Sequence, residues 1–262
     1  MTDKIPCDYS ALDHPAVLAR IFHPRTGGGT GPARPNEFMI PVDGHVQIGA
    51  CFHVEDKQAP NILFFHGNGE IVSDYDDLGP VYNQMGMNFF VVDFRGYGRS
   101  TGRPTVSRMI ADCHTILDFV QKLLHKNGFA GSLGVMGRSL GSASAIELAS
   151  ARSADVDFLI VESGFSHTEK LLNVLGIDPA SAGFATTPGC ENHEKIGQWS
   201  GPLLVLHGEF DQLISFSQGK DLFDACPSLE KTLVKIPGAN HNDIFIIGLD
   251  LYMQAVKTLV MQ

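Results

Sequence analysis

The chain has 262 residues, enough to bury one large core, and its 44% hydrophobic and 18% charged residues are typical of a globular protein. A formal net charge of −10 without any basic cluster argues against nucleic acid and anionic membranes as partners. No apolar run approaches the ~18 residues that a membrane span needs, and the first residues lack the apolar core of a secretory signal. We therefore expect a cytoplasmic protein with neither a membrane nor a nucleic-acid partner.

The five cysteines are odd in number, widely spaced and without any CxxC pair. Such a pattern favours buried thiols in a reducing compartment over a disulfide framework or a zinc site. We accordingly expect no metal at these positions, which are Cys7, Cys51, Cys113, Cys190 and Cys226.

The chain begins irregularly. Residues 23–35, HPRTGGGTGPARP, are rich in glycine and proline and predict a surface loop. These glycines do not form a phosphate-binding loop, because no Lys-Ser or Lys-Thr pair follows them and Pro32 blocks a helix start. Two β-rich runs then flank Asp43 and Gly44, a pair that is typical of the turn in a β-hairpin.

Apolar runs and helical patterns alternate in the rest of the chain. Helical patterns occur at residues 78–85, after a candidate cap at Thr105, at residues 140–150 and from about His241 onward. The order predicts an α/β fold, with a mostly parallel central sheet, helices on both faces and the N-terminal antiparallel hairpin at one edge. Six runs predict strands: NILFFHG and NFFVVDF have the continuous apolar character of strands buried on both faces, and the others are SLGVMG, VDFLIVESG, GPLLVLHGEFD and KTLVKIPG.

No strand pattern occurs between residues 166 and 200. This stretch is longer than an ordinary connection and contains one short helical pattern, HTEKLLNVLG. We expect a small lid or binding loop there, inserted into a single domain that spans residues 1–262.

The sequence GRSLGS places Ser139 between two glycines, where a predicted strand meets a predicted helix. In a sharp strand-to-helix turn, Gly137 and Gly141 allow close backbone contacts, and the serine is forced into a strained conformation that exposes its hydroxyl. The start of the helix presents free N–H groups beside it. Ser139 is therefore the candidate nucleophile, and the alternative is a simple helix cap.

A serine hydroxyl needs a base to become a good nucleophile. His241 follows the last predicted strand and is the candidate base. Asp211 ends the run GPLLVLHGEFD and is the favoured acid, because the order serine, acid, histidine along the chain fits a known triad arrangement. Glu162 also ends a strand and is the rival acid. The position of Asp243 at a helix start is explained by the helix dipole alone.

The oxyanion of the reaction needs hydrogen-bond donors. The motif HGNGE ends the first buried strand in a glycine-rich turn that can approach the serine. We expect the backbone N–H of Asn68, or alternatively of Gly69, to act together with the backbone N–H of Leu140. His66 is expected to brace this loop by hydrogen bonds rather than to transfer protons.

Together, HGNGE, DFRGYGRS, GRSLGS, LHGEFDQLISF and IPGANHND resemble the motifs of the α/β-hydrolase superfamily. They are most similar to its bacterial serine-hydrolase branch with HGN, which is serine aminopeptidase-like or esterase-like. The resemblance covers most of the chain. It implies an α/β-hydrolase fold, the triad Ser139, Asp211 and His241, and an oxyanion hole made by the N–H groups of Asn68 and Leu140. In DFRGYGRS it implies a structural turn without a catalytic role.

These residues predict a serine hydrolase that cleaves carboxylic esters of small to medium acyl chains and requires neither a metal nor an organic cofactor. The short lid argues against long-chain triglycerides. A peptidase, amidase or acyl thioesterase with the same triad is the alternative, with an amide or thioester as the small-molecule substrate. A non-catalytic binding protein on this fold is less well supported, since no triad member is missing. The sequence leaves the substrate-binding residues unassigned.

Arg138 is too large and too charged to be filler beside a nucleophile. We expect its guanidinium to point away from the pocket and to pair with a buried Glu162. Such a pair would engage Glu162 and leave Asp211 as the acid.

Overall fold

The computed structural model of the protein describes residues 8–27, 34–178 and 191–261. Within these residues, eight strands form one sheet: β1 (Glu37–Asp43), β2 (Val46–His53), β3 (Asn61–Phe65), β4 (Asn88–Val92), β5 (Leu133–Arg138), β6 (Leu159–Glu162), β7 (Leu203–Gly208) and β8 (Lys231–Ile236). Their order across the sheet is β1-β2-β4-β3-β5-β6-β7-β8.

The hairpin at Asp43 and Gly44 forms as predicted. β1 pairs antiparallel with β2, β2 pairs antiparallel with β4, and every other neighbouring pair is parallel. Gly44 has a φ of 52°, the left-handed conformation that such a turn favours. The predicted α/β fold, with its mostly parallel sheet and antiparallel N-terminal hairpin, is therefore confirmed.

Helices cover both faces of the sheet. The α-helices of the described residues are α1 (Pro15–Ile21), α2 (Gly79–Gln84), α3 (Val106–Asn127), α4 (Ser142–Ala151), α5 (Thr168–Val174), α6 (Asn192–Ile196), α7 (Phe216–Ala225) and α8 (Ile244–Val260). In β3, Leu63 and Phe65 enter one apolar core with α3 and α4, whereas Ile62 and Phe64 enter the other core with α2 and α8. This coverage explains the continuous apolar runs, because successive strand side chains point to opposite faces.

Three helices, α1, α6 and α7, are not predicted by the sequence pattern. α1 occupies part of the N-terminal stretch that reads as irregular, and it begins at Pro15, a residue type favoured at the first helical position. In α7, Leu222 is the one large apolar residue that is fully buried. The other large apolar residues of α7, Phe216 and Phe223, lie at helical spacing but are only partly buried, and Gly219 and polar residues lie between them, so the apolar stripe is short.

The last helix starts slightly later than predicted. α8 begins at Ile244, and Asp243 is its N-cap rather than part of its first turn. The Asp243 carboxylate accepts a hydrogen bond from the backbone N–H of Asn240 at 2.6 Å. Asp243 therefore has a local role at the helix start, and His241 lies in the loop before it.

The predicted insertion at residues 166–200 contains the short helices α5 and α6. Between them, residues 179–190 lie outside the described part of the chain, as do residues 1–7 and residues 28–33 of the predicted N-terminal loop. The lid and the division into one domain with an insertion therefore stay predictions.

The described cysteines are free and buried, as the sequence predicts. They are Cys51, Cys113 and Cys226, whereas Cys7 and Cys190 lie outside the described residues. None of the described helices combines the length and the apolar character that crossing a bilayer requires.

We expect Thr105→Ala to destabilise the protein by about 1 kcal/mol. The Thr105 side chain accepts a hydrogen bond from the backbone N–H of Arg108 at 3.2 Å, and so caps α3 as predicted. Alanine removes that acceptor, whereas Thr105→Ser keeps it and is the matched control. Thermal unfolding should show a fall in Tm of roughly 2–4 °C for the alanine variant. Equal falls in both variants would contradict the capping role.

Candidate active site

Ser139 lies at the sharp turn between β5 and α4. Its φ of 52° is in the left-handed region, which a non-glycine residue adopts only at a cost. Close backbone contacts explain the flanking glycines. A Cβ on Gly137 would lie 2.3 Å from the carbonyl oxygen of Gly141, and one on Gly141 would lie 2.1 Å from that of Phe65. The turn therefore has the tight geometry that GRSLGS predicts.

The side chains of Ser139, His241 and Asp211 form one hydrogen-bonded chain. Nε2 of His241 lies 2.9 Å from Oγ of Ser139, and Nδ1 lies 2.7 Å from Oδ2 of Asp211. A neutral imidazole satisfies both contacts when Nδ1–H donates to Asp211 and Nε2 accepts the hydroxyl proton of Ser139. All three residues are buried, with no more than 7% of their surface exposed. The structure thus brings together the three residues that the sequence places on separate segments.

Asp211 is held by its own loop. Its Oδ1 accepts hydrogen bonds from the backbone N–H groups of Leu213 and Ile214, at 3.0 and 2.8 Å. Its Oδ2 also lies 3.4 Å from Nε2 of His207. Burial alone would raise the pKa of Asp211, but hydrogen bonds from His207 and His241 outweigh it and hold this pKa well below its usual range. The carboxylate facing the imidazole is therefore ionised at neutral pH.

Glu162, the rival acid, has other partners. Its Oε1 accepts a hydrogen bond from Nε of Arg138 at 3.1 Å, and its Oε2 accepts one from the Tyr252 hydroxyl at 2.7 Å. Glu162 is fully buried, and this burial raises its pKa. The carboxylate that reaches the imidazole of His241 is that of Asp211.

The loop after β3 lies directly against the serine turn. A Cβ on Gly141 would lie 2.7 Å from the carbonyl oxygen of His66. The Asn68 side chain anchors this loop, because its Oδ1 accepts hydrogen bonds from the backbone N–H of His23 at 2.9 Å and from the Tyr97 hydroxyl at 2.7 Å. Leu140 belongs to the helical turn that leads into α4, where the first N–H groups have no intrahelical acceptor.

His66 braces the loop as predicted. Its Nδ1 lies 2.7 Å from the carbonyl oxygen of Gly67, and its Nε2 lies 3.3 Å from Oδ1 of Asp93. The ring is fully buried and packs edge-on against Phe94, with the ring centroids 4.7 Å apart. With these contacts, the His66 ring stabilises the backbone of the loop after β3.

The predicted pair of Arg138 and Glu162 is present, and Arg138 makes further contacts that the sequence does not predict. Nη1 forms an ion pair with Glu70. Nη2 donates hydrogen bonds to the carbonyl oxygen of His241 at 2.8 Å and to Oδ1 of Asn242 at 3.2 Å. The guanidinium thus contacts both the loop after β3 and the loop of residues 237–243 that carries His241, called the histidine loop below.

Three residues around the site escape sequence reasoning. Glu70 is the last residue of the HGNGE motif, and its position beside a glycine-rich turn is the only feature of the sequence that indicates a role for it. His207 lies inside a buried strand and Tyr252 inside a helix. Their apolar surroundings in the sequence give them the pattern of core residues, and only the contacts of the folded chain distinguish them.

One group among the described residues has the composition of a metal site. The ligand atoms of Cys51, His53 and Asp76 lie within 4.8 Å of one another. Both carboxylate oxygens of Asp76 already accept hydrogen bonds from Arg34, at 2.9 and 3.0 Å, and Cys51 accepts one from Asn36 at 3.1 Å. The group includes none of the residues that meet at Ser139.

Comparison with known proteins gives relatives of the same kind. Residues 56–187, about half of the chain, match the family described as serine aminopeptidase, S33. Protein bem46 of Schizosaccharomyces pombe is 29% identical over 190 residues, which are 71% of this chain and 63% of that protein. The alpha/beta hydrolase domain-containing protein aho-3 of Caenorhabditis elegans is 31% identical over 209 residues, 76% of this chain and 57% of that protein. The chain thus spans less than two thirds of either relative.

A solved structure shares the fold. The esterase Pf2001 of Pyrococcus furiosus matches with a TM-score of 0.72 and 15% identity, over 92% of this chain and 98% of the esterase. At this identity the likeness concerns the fold, an eight-stranded, mostly parallel sheet covered by helices. The sheet, the serine turn and the family match agree, and the chain belongs to the serine aminopeptidase, S33 family of α/β-hydrolase enzymes.

Proposed function

We propose that the protein is a serine hydrolase that cleaves carboxylic esters of small to medium acyl chains, with Ser139 as nucleophile, His241 as base and Asp211 as acid. The observation that carries this proposal is the hydrogen-bonded chain of these three side chains, with distances of 2.9 and 2.7 Å. It ends at a serine whose left-handed backbone lifts the hydroxyl out of the turn.

Acylation begins with proton transfer. His241 Nε2 accepts the proton of Ser139 while Oγ attacks the ester carbonyl carbon, and a tetrahedral oxyanion forms. The ionised Asp211 holds Nδ1–H and stabilises the imidazolium. The imidazolium then protonates the departing alcohol, and the acyl group stays on Ser139. Water, deprotonated by His241, then attacks the acyl carbon, and the imidazolium returns this proton to Oγ of Ser139 as the acyl–Oγ bond breaks and the carboxylic acid leaves.

We assign the oxyanion to two backbone donors, the N–H groups of Asn68 and Leu140. Two features support this assignment. The loop that carries Asn68 is packed against Gly141 and anchored through the Asn68 side chain. Leu140 lies at the start of the helical segment, where free N–H groups and the helix dipole favour negative charge.

The preference for modest acyl chains rests on the shortness of the insertion predicted at residues 166–200, which argues against long-chain triglycerides as substrates. The name of the similar Pyrococcus furiosus protein, an esterase, agrees with an ester substrate. The family name points instead to peptides. Glu162 does not offer a free carboxylate for a peptide amine, because Arg138 and Tyr252 already occupy both of its oxygens.

Replacing Ser139 tests the nucleophile. Ser139→Ala should lower kcat for p-nitrophenyl esters by about 10⁶-fold, because the attacking oxygen is removed. Reaction with a fluorophosphonate probe should disappear with it. Ser144→Ala is the matched control, since the Ser144 hydroxyl is buried in α4 without a hydrogen-bond partner among the described residues. A Ser139→Ala protein with wild-type kcat would contradict the assignment.

The acid is tested by two isosteric changes. Asp211→Asn should lower kcat on the order of 10⁴-fold, because an amide cannot hold the productive tautomer of His241 or stabilise its charge. Glu162→Gln should cost far less in kcat, since Glu162 contacts Arg138 and Tyr252 rather than the imidazole. Steady-state kinetics of both variants decide the point, and the reverse ranking would transfer the role to Glu162.

A substrate panel separates esters from amides. We expect short-chain p-nitrophenyl esters to be hydrolysed much faster than aminoacyl-anilides, with kcat/KM falling for long acyl chains because the predicted lid is short. The comparison of kcat/KM values measures this preference, with acyl thioesters as the third substrate class. Anilides as the best substrates would replace the esterase proposal with a peptidase.

A further inference from the structure

Arg138 is the last residue of β5 and precedes Ser139 directly. Only 9% of its side-chain surface is exposed. Burial of a guanidinium is costly unless its charge and its donors are matched. The partners of this side chain therefore show what its burial achieves, and they come from three separate segments of the chain.

Two carboxylates flank the guanidinium. Glu162, at the end of β6, accepts a hydrogen bond from Nε at 3.1 Å, and Glu70, in the loop after β3, pairs with Nη1. Burial would raise the pKa of Glu70, but the charge of Arg138 and a hydrogen bond from Tyr75 lower it below its usual value. The positive charge is thus matched inside the protein.

Glu70 links Arg138 to the backbone of residues 66–70, the loop after β3 that carries Asn68 and is called the oxyanion loop below. Its Oε2 accepts a hydrogen bond from the backbone N–H of Gly67 at 2.6 Å and another from the Tyr75 hydroxyl at 2.6 Å. Gly67 directly precedes Asn68, the proposed oxyanion donor. A carboxylate held by Arg138 therefore fixes the backbone on one side of that donor.

The remaining contacts go to the histidine loop. Nη2 of Arg138 donates hydrogen bonds to the carbonyl oxygen of His241 at 2.8 Å and to Oδ1 of Asn242 at 3.2 Å. The backbone of His241 is thus held by Arg138, and its ring is held at Nδ1 by Asp211. With both ends of the residue fixed, Nε2 stays 2.9 Å from Oγ of Ser139.

We propose that Arg138 is a positioning residue, whose guanidinium ties the histidine loop and the oxyanion loop to the serine turn and so sets the distance between Ser139 and His241. The inference rests on the proposed function of those two residues and assigns a new role to their neighbour. Balancing the carboxylates needs only a positive charge. The contacts to His241 and Asn242 need the planar, forked donors of a guanidinium, whereas the three donors of a lysine ammonium all lie on one nitrogen.

A surface groove gives access to this side chain. The groove has a volume of about 420 Å³ and is bordered by Arg138, Glu70, Tyr75 and Asn242, with apolar residues of α8 on its other side. In a variant without the Arg138 side chain, free guanidinium can therefore enter from solvent and occupy the vacated place between the same partners.

The test compares Arg138→Ala and Arg138→Lys with the wild type in p-nitrophenyl ester hydrolysis and in the rate of fluorophosphonate labelling. We expect Arg138→Ala to lower kcat on the order of 10²-fold with little change in KM, since a misplacement of about 1 Å costs that much. Labelling should slow in parallel. Guanidinium at non-denaturing concentration should restore both rates of Arg138→Ala at least in part. Arg138→Lys should recover thermal stability but not kcat.

Arg95→Ala is the matched control for loss of a buried ion pair. Arg95 is buried and pairs through Nε and Nη2 with Asp112, at 2.6 and 2.8 Å. These residues lie in the loop after β4 and in α3, and the pair makes no contact with the triad. Its removal should lower thermal stability, keep kcat close to the wild-type value and give no response to guanidinium.

A wild-type kcat in Arg138→Ala, or a folded Arg138→Ala that guanidinium does not restore, would overturn the inference. Should Arg138→Ala fail to fold, Arg138→Lys decides, because a wild-type kcat there would show that charge alone suffices. Failure of the proposed function has a different signature. In that case the wild type is not labelled at Ser139, which overturns both proposals, whereas failure of the inference alone leaves wild-type labelling intact.

Discussion

Backbone contact around the turn between β5 and α4 is the constraint on which the site depends. Gly141 touches the carbonyl groups of Phe65 and His66, and Gly137 touches Gly141 itself. No side chain fits into these contacts, so the main chain of the serine turn lies directly against the main chain of the loop after β3. The left-handed φ of Ser139 follows from the same crowding, and it is offset by the packing of the buried strands on either side.

The parallel sheet then delivers the other groups to the same edge. β6, β7 and β8 lie side by side next to β5, and their carboxyl ends lead to Glu162, Asp211 and His241. Because parallel strands end at a common edge, their chain order suffices to predict which residues meet there. The choice between Asp211 and Glu162 depends on side-chain contacts that chain order does not give. Two backbone N–H groups of the loop after Asp211 donate hydrogen bonds to its carboxylate, while Glu162 accepts a hydrogen bond from Arg138.

Features that depend on a few neighbouring residues can be predicted from the sequence, whereas features that depend on contacts between distant residues cannot. The unbroken apolar strands, the Asp43-Gly44 hairpin and the cap at Thr105 follow from periodicity and turn chemistry within a few residues. α7 carries only a short apolar stripe, interrupted by Gly219, and packs against β7 and β8. The link from Arg138 to Glu70 joins residues far apart in the chain. No spacing rule predicts such a pair, although the acid was visible at the end of HGNGE.

The buried ion cluster of Arg138, Glu70 and Glu162 is better explained by the positions in which it holds its neighbours than by a contribution to folding stability. Desolvation of buried charges offsets most of their attraction, and apolar residues of similar volume often stabilise a core as well or better. An apolar side chain at 138 would nevertheless leave the carbonyl oxygen of His241 and the carboxylates of Glu70 and Glu162 without these partners. A guanidinium satisfies all of them at fixed angles from a single strand end. In a site where Nε2 must stay within hydrogen-bond reach of a serine hydroxyl, such angular control limits how far the histidine loop can drift.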